Sequence, residues 1–348
     1  MHQLIATTEF ALGWVVLGTV IGSVARTVLV PRNRSSRLVH RTLRVTLATA
    51  KVAVRPGRRD TGRHRGIDMV GPIAMLAVLL GWLIGLVNGF VLLAVSTGGV
   101  RADPGAIIGL FLRTDIGRSN LLGQFVAVLT WATASVVVVC FAGYLVTVAA
   151  AYGRRERTVR RLASQAVRPP DAEDLLARYL RGGSGRHIDP LLTEWDEWFS
   201  DIRTTHSAYP VLVNLPRNGN LCWLEAMVIA LDTAALVDAI APSAAMPYAR
   251  ALLRSGTACL DELAGQLRVA VPAPPVSLHG REESDFPDTV KTAVQAGLAA
   301  ERDEQAAWLA FQAWRQAYAP HASAIAAHLL CYCPPQETAG ASGRSNVE

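Results

Sequence analysis

The chain has 348 residues, of which 51% are apolar and only 18% charged, against about 25% charged in ordinary soluble domains. The apolar residues concentrate in the first 150 positions, which excludes a wholly soluble protein. The net charge of +6 gathers beside apolar stretches, so an anionic membrane surface accounts for it before nucleic acid does.

Three stretches have the length and composition of membrane spans, at about residues 10–30, 70–95 and 121–150. Each exceeds the ~20 residues a helix needs to cross ~30 Å of hydrocarbon. The second and third carry no charged residue, and the first carries only Arg26 near its end, where a long side chain can reach the interface. The first lacks the basic start and clean cleavage site of a signal peptide and is read as a span.

The first connection, residues 31–68, has eleven Lys or Arg between Arg32 and Arg65 against a single Asp. "GRRERTVRR" after the third span holds five Arg and one Glu, while the connection between spans two and three has three Arg and two Asp. The positive-inside rule therefore places the N-terminus outside, and the basic connection and everything beyond the third span in the cytoplasm. In the basic connection, Leu43, Leu47 and Val54 share a helical face, which fits a helix lying at the interface or one packed in soluble structure. No aromatic or base-reading side chains surround the arginines, so no nucleic-acid partner is expected.

Within the spans, Gly18 and Gly22, and Gly81, Gly85 and Gly89, recur every four residues. Such spacing lets helix backbones approach closely in lipid. Asn88 beside the second series is expected to face protein or water, through an interhelical hydrogen bond or a pore lining. Three helices enclose no aqueous route alone, so conduction would require a homo-oligomer with closed symmetry.

The segment "GAIIGLFLRTDIGRSNLLGQ" follows the second span. It is apolar at its start and charged afterwards, and residues 104–118 fit either a re-entrant half-helix or a simple turn.

Residues 154–332 are expected to form a helical cytoplasmic domain, with residues 333–348 as a disordered tail. Helices are predicted from Asp171 as N-cap, at about 189–205, through "LCWLEAMVIALDTAALVDAI", and at about 247–267, 286–300, 302–318 and 321–330. An aromatic cluster of Trp195, Trp198 and Phe199 and a helix end near Pro210 are expected in the first half. His206, Glu225 and Asp232 are the candidate acid–base or metal-ligating set. Their alternative role is structural, the carboxylates pairing with Arg203 and Arg217. No nucleophile signature or phosphate loop accompanies them, so no enzyme, cofactor or metal is expected. Cys331 and Cys333 lack the C-x-x-C spacing of thiol chemistry and are read as free thiols, and Cys140 and Cys222 as packing residues.

The segment "LLTEWDEWFSDIRTTHSAYPVLVNLPRNGNLCWLEAMVIALDTAALV" resembles a family of bacterial membrane proteins described as two-pore-domain potassium channel-like, or ion-channel family proteins. The resemblance runs from the first span to about Leu267 and is carried by Trp195, Trp198, His206, Tyr209, Pro210, Trp223, Leu224, Ala226, Leu231 and Asp232. It implies an all-α membrane protein: three transmembrane helices, a pore-type half-helix and a cytoplasmic helical domain in the bacterial inner membrane. It also implies a Thr-x-Gly-x-Gly-Asp type filter. Here the aligned "LFLRTDIGRSN" keeps Thr114 and Gly117 beside Asp115, loses the Gly-x-Gly pair, and is flanked by Arg113 and Arg118. One glycine cannot build stacked carbonyl rings, and arginines around an axis repel cations.

The functional expectation is a channel-like homo-oligomer, tetramer or dimer, without a potassium filter. It would be weakly selective, anion-conducting or non-conducting. The alternatives are a membrane-anchored interaction or regulatory protein with an unknown cytoplasmic partner, and a membrane-bound enzyme using His206, Glu225 and Asp232.

Overall fold

The computed structural model describes residues 2–29, 70–98, 121–165, 171–184, 188–215, 221–244, 247–273 and 285–329. Among them all regular structure is helical. In chain order the α-helices are α1 His2–Val24, α2 Val70–Ser96, α3 Leu121–Gln165, α4 Ala172–Tyr179, α5 Ile188–Ala208, α6 Trp223–Ile240, α7 Tyr248–Leu267, α8 Phe286–Gln295 and α9 Glu304–Leu329. Short π-helical turns follow α1 (Ala25–Leu29) and α4 (Leu180–Ser184), and Pro210–Asn214 forms a 3₁₀ turn. Helices α1, α2 and α3 are long and apolar enough to cross a membrane. The basic connection, the segment 104–118 with Arg113, Thr114, Asp115, Gly117 and Arg118, and the tail with Cys331 and Cys333 lie outside the described residues.

The chain divides into two units. One comprises residues 1–150 and 208–216, and the other residues 151–207 and 217–348. The expected boundary near residue 153 therefore falls inside α3, which is one helix from Leu121 to Gln165.

The first unit is built on helical periodicity. Leu17, Val20 and Val24 of α1 meet Val78, Trp82, Leu86 and Phe90 of α2 and Val137 and Phe141 of α3. These spacings of three and four put each set on one helical stripe. The buried Trp82 indole N–H donates to the Ser23 hydroxyl at 3.1 Å, as a buried donor requires. On the outer faces Leu76, Leu80, Val139 and Val146 are exposed. Hydroxyls there turn back on their own helices, Thr19 to Val15 O at 2.7 Å and Thr133 to Leu129 O at 2.8 Å, which satisfies them without water.

The second unit surrounds α6, whose residues apart from Glu225 are buried. Helices α4, α7 and α9 pack on it, and α8 packs on α4 and α9. Gly256 of α7 permits a close approach, because a Cβ there would stand 2.6 Å from Leu231 Cδ2 and 2.7 Å from Phe199 Cε2. Asp171 caps α4, accepting from Glu173 N at 3.5 Å.

Three helix limits differ from the sequence expectation. Helix α1 begins at His2, and Arg26 lies exposed in the π turn after it. The predicted helix at 286–300 stops at Gln295, and Gly297 follows with φ 111°. The two predicted helices at 302–318 and 321–330 are one, α9, with Pro320 inside. Proline removes one backbone donor and crowds the preceding turn. Here Ala319, Pro320, Ala322 and Ile325 are all buried, so packing holds the helix through the defect.

Candidate functional site

The sequence marked "GRRERTVRR" only as positive charge. The structure gives its members different work. Ala151, Arg155, Val159 and Leu162, spaced four, four and three, form the buried face of α3 in the second unit. Arg155 and Glu156 are each 1% exposed. Their side chains form an ion pair, Arg155 Nη2 to Glu156 Oε1 at 3.0 Å, with Nε donating to the same oxygen at 3.1 Å.

The other side of the guanidinium meets His206. Arg155 Nη1 stands 3.3 Å from His206 Nε2. A guanidinium only donates, so Nε2 must carry the lone pair and the ring proton must sit on Nδ1. That nitrogen faces Ile202 O at 3.0 Å and the Thr205 hydroxyl at 3.2 Å, and the Ile202 carbonyl accepts its proton. Burial first, and then the neighbouring Arg155 charge, hold His206 well below its ordinary 6.5. Aromatic faces complete the enclosure: Tyr152 lies 5.1 Å and Trp223 5.5 Å from the Arg155 carbon, and the His206 and Trp223 rings are 5.2 Å apart. This is a neutral imidazole whose lone pair already faces a cation. It anchors Arg155 and is poorly placed to accept a substrate proton.

Two exposed pairs continue the association. Arg154 meets Asp201 at 3.1 Å, and Arg161 meets Glu194 at 2.5 Å. Numbers rise along α3 as they fall along α5, so the two helices run antiparallel here. The sequence signal for this anchor was Arg155 standing at an apolar position of a 3.6-residue pattern. It was obscured by the four neighbouring arginines.

Asp232 belongs to a different network. Tyr318 Oη donates to Asp232 Oδ1, and Arg315 Nε lies 3.3 Å from the same oxygen. Nearby on α6, Asp238 accepts from Arg250 Nε at 2.8 Å and Trp314 Nε1 at 2.9 Å. Arg302 Nη1 donates to the Asp238 carbonyl at 2.7 Å. These bonds tie α6 to α7 and α9. Glu225 is half-buried near the start of α6. His206 and Asp232 therefore engage separate partners. Arg203 pairs with Glu262 at 2.7 Å, while Arg217 lies outside the described residues. Among the described residues, no group of three or more His, Cys, Asp or Glu could hold a metal.

Trp195, Trp198, Trp223, Leu224, Ala226 and Leu231 are buried in the second unit and help to build its core. Trp198 and Phe199 rings are 5.3 Å apart. Tyr209 and Pro210 lie in the first unit. There Tyr209 meets Tyr144 edge-on at 5.6 Å, and the 3₁₀ turn packs on α2.

Of the expected packing glycines, Gly85 and Gly89 lie between helices. A Cβ on Gly85 would stand 2.6 Å from Val20 Cγ2, and one on Gly89 2.7 Å from Leu17 Cγ. Gly13, unmarked by the four-residue pattern, faces Gly89 O at 3.0 Å on the same test. Gly18, Gly22 and Gly81 have open space beside them. Asn88 is exposed and donates to Ile84 O of its own helix at 2.7 Å.

The chain matches no protein-family model, no curated protein and no solved structure in comparison with each.

Proposed function

We propose that this chain is a channel-like membrane protein that works as a homo-oligomer and lacks a potassium filter. It conducts anions or is weakly selective, or it retains the scaffold without conducting. The observation that carries this is α3, one helix from Leu121 to Gln165. Its first part is an apolar span, and its last part bears the Arg155–Glu156–His206 anchor. The positive-inside charge pattern favours the cytoplasmic side for the C-terminal unit. The large apolar side chains left outward on α1, α2 and α3 leave room for lipid and for further copies. A tetramer follows from the resemblance, with a dimer as the alternative.

The test is ion flux from purified protein in liposomes under potassium, sodium and chloride gradients, with Arg113→Glu/Arg118→Glu as the paired variant. Chloride-preferring flux that is lost or reversed in the variant supports an altered channel lined by these arginines. Potassium-selective flux overturns the reading of the missing glycines. Silence at all voltages and pH values leaves the non-conducting scaffold, acting as a membrane-anchored interaction protein.

A further inference from the structure

Beyond the span, α3 carries five arginines, and the structure divides them into three kinds. Arg155 is buried against Glu156. Arg154 and Arg161 are exposed but paired with Asp201 and Glu194. Arg157 and Arg160 are exposed and have no acidic partner among the described residues; Arg160 Nε donates only to the Glu156 carbonyl. They stand three apart, on one side of the helix.

Their height along the helix matters as much as their charge. The uncharged stretch of α3 runs from Leu121 to Gly153. At about 1.5 Å per residue it exceeds the hydrocarbon core and reaches into the headgroup layer. Arg157 and Arg160 begin about 6 Å of helix rise beyond its last residue, within a Debye length of the membrane surface.

We propose that Arg157 and Arg160 form a binding surface for the headgroups of anionic phospholipids. Arg154 and Arg161 are withheld from this role by their ion pairs. The proposal rests on α3 being a membrane span and is independent of whether the protein conducts. Each guanidinium offers paired donors suited to a phosphodiester, and each should add roughly five-fold to the preference for anionic over zwitterionic lipid at low salt.

The test uses the full chain in phosphatidylcholine bilayers, with spin-labelled phosphatidylglycerol or phosphatidylcholine as probe and the motionally restricted fraction as readout. Alkaline carbonate extraction first establishes insertion; a chain that is extracted refutes the span itself. For an inserted chain the wild type should prefer phosphatidylglycerol, and 0.5 M salt should weaken the preference. Arg157→Gln/Arg160→Gln should lose most of it, and Arg157→Lys/Arg160→Lys should keep most of it with the same circular dichroism. Equal restriction of both lipids overturns the proposal. Preference undiminished in the Gln variant also overturns it and transfers the role to the basic connection 31–68. Loss of preference to inorganic phosphate at constant ionic strength identifies a free-phosphate site and likewise overturns the lipid assignment.

Discussion

Arg155 lies 3.3 Å from the Nε2 of His206 on one side and 3.0 Å from Glu156 on the other, all within the buried part of the second unit. A buried pair is tolerated when hydrogen bonds and aromatic faces replace water, and removing one partner leaves the other charge stranded. Arg155→Met should therefore destabilise the protein by about 3–5 kcal/mol. Arg155→Met/Glu156→Gln should recover part of that loss, because no buried charge remains. Thermal unfolding of the full chain in detergent, followed by circular dichroism, measures both. A single variant as stable as wild type would contradict the anchor.

The same geometry sets a pH dependence. His206 is held well below 6.5 in the folded chain, whereas the unfolded chain takes up the proton near that value. Between the two values the unfolded state binds more protons, so stability falls as pH drops below about 6.5 and levels off once the folded imidazole also titrates. Above pH 7 this contribution is fully present. The slope is at most about 1.4 kcal/mol per pH unit. Comparing wild type with His206→Gln between pH 4.5 and 8 isolates it, and identical slopes would show that the imidazole is not the titrating group.

Two glycines of α7 should respond in opposite directions. At Gly256 an added methyl meets Leu231 and Phe199, while at Gly265 nothing stands within 4 Å. Gly256→Ala should cost about 1–3 kcal/mol through overpacking. Gly265→Ala should stabilise by up to about 1 kcal/mol through helix propensity. Melting temperatures of the two variants decide the matter. Stabilisation by Gly256→Ala would show that α7 does not approach so closely.

Cys259 is fully buried, and burial pushes its thiol up to about 12 against the smaller lowering by Arg203. In a chain with the other four cysteines replaced by alanine, a water-soluble maleimide at pH 8 should leave Cys259 unlabelled until denaturant is added. Mass spectrometry reads the extent. Rapid labelling of the native chain would place α7 at the surface.

The existence of the three spans was legible in the sequence, because long uncharged apolar runs have one stable solution in lipid: a helix that satisfies its own backbone. The Asp171 cap and most helices of the second unit were legible for similar local reasons. Which residues meet was decided by tertiary structure. A four-residue glycine spacing marks a face but not its partner, so Gly85 and Gly89 with Gly13 pack closely while Gly18, Gly22 and Gly81 do not. Two helices were expected at 302–318 and 321–330, since local propensity takes no account of the burial that keeps α9 continuous through Pro320. Glu225 and Asp232, seven apart on one predicted helix, and His206 on the helix before suggested one site. The fold gave His206 to Arg155 and Asp232 to Tyr318, 86 residues further on. A buried charge or imidazole must find whichever complementary group the folded chain brings within about 3 Å, and sequence spacing does not encode that distance.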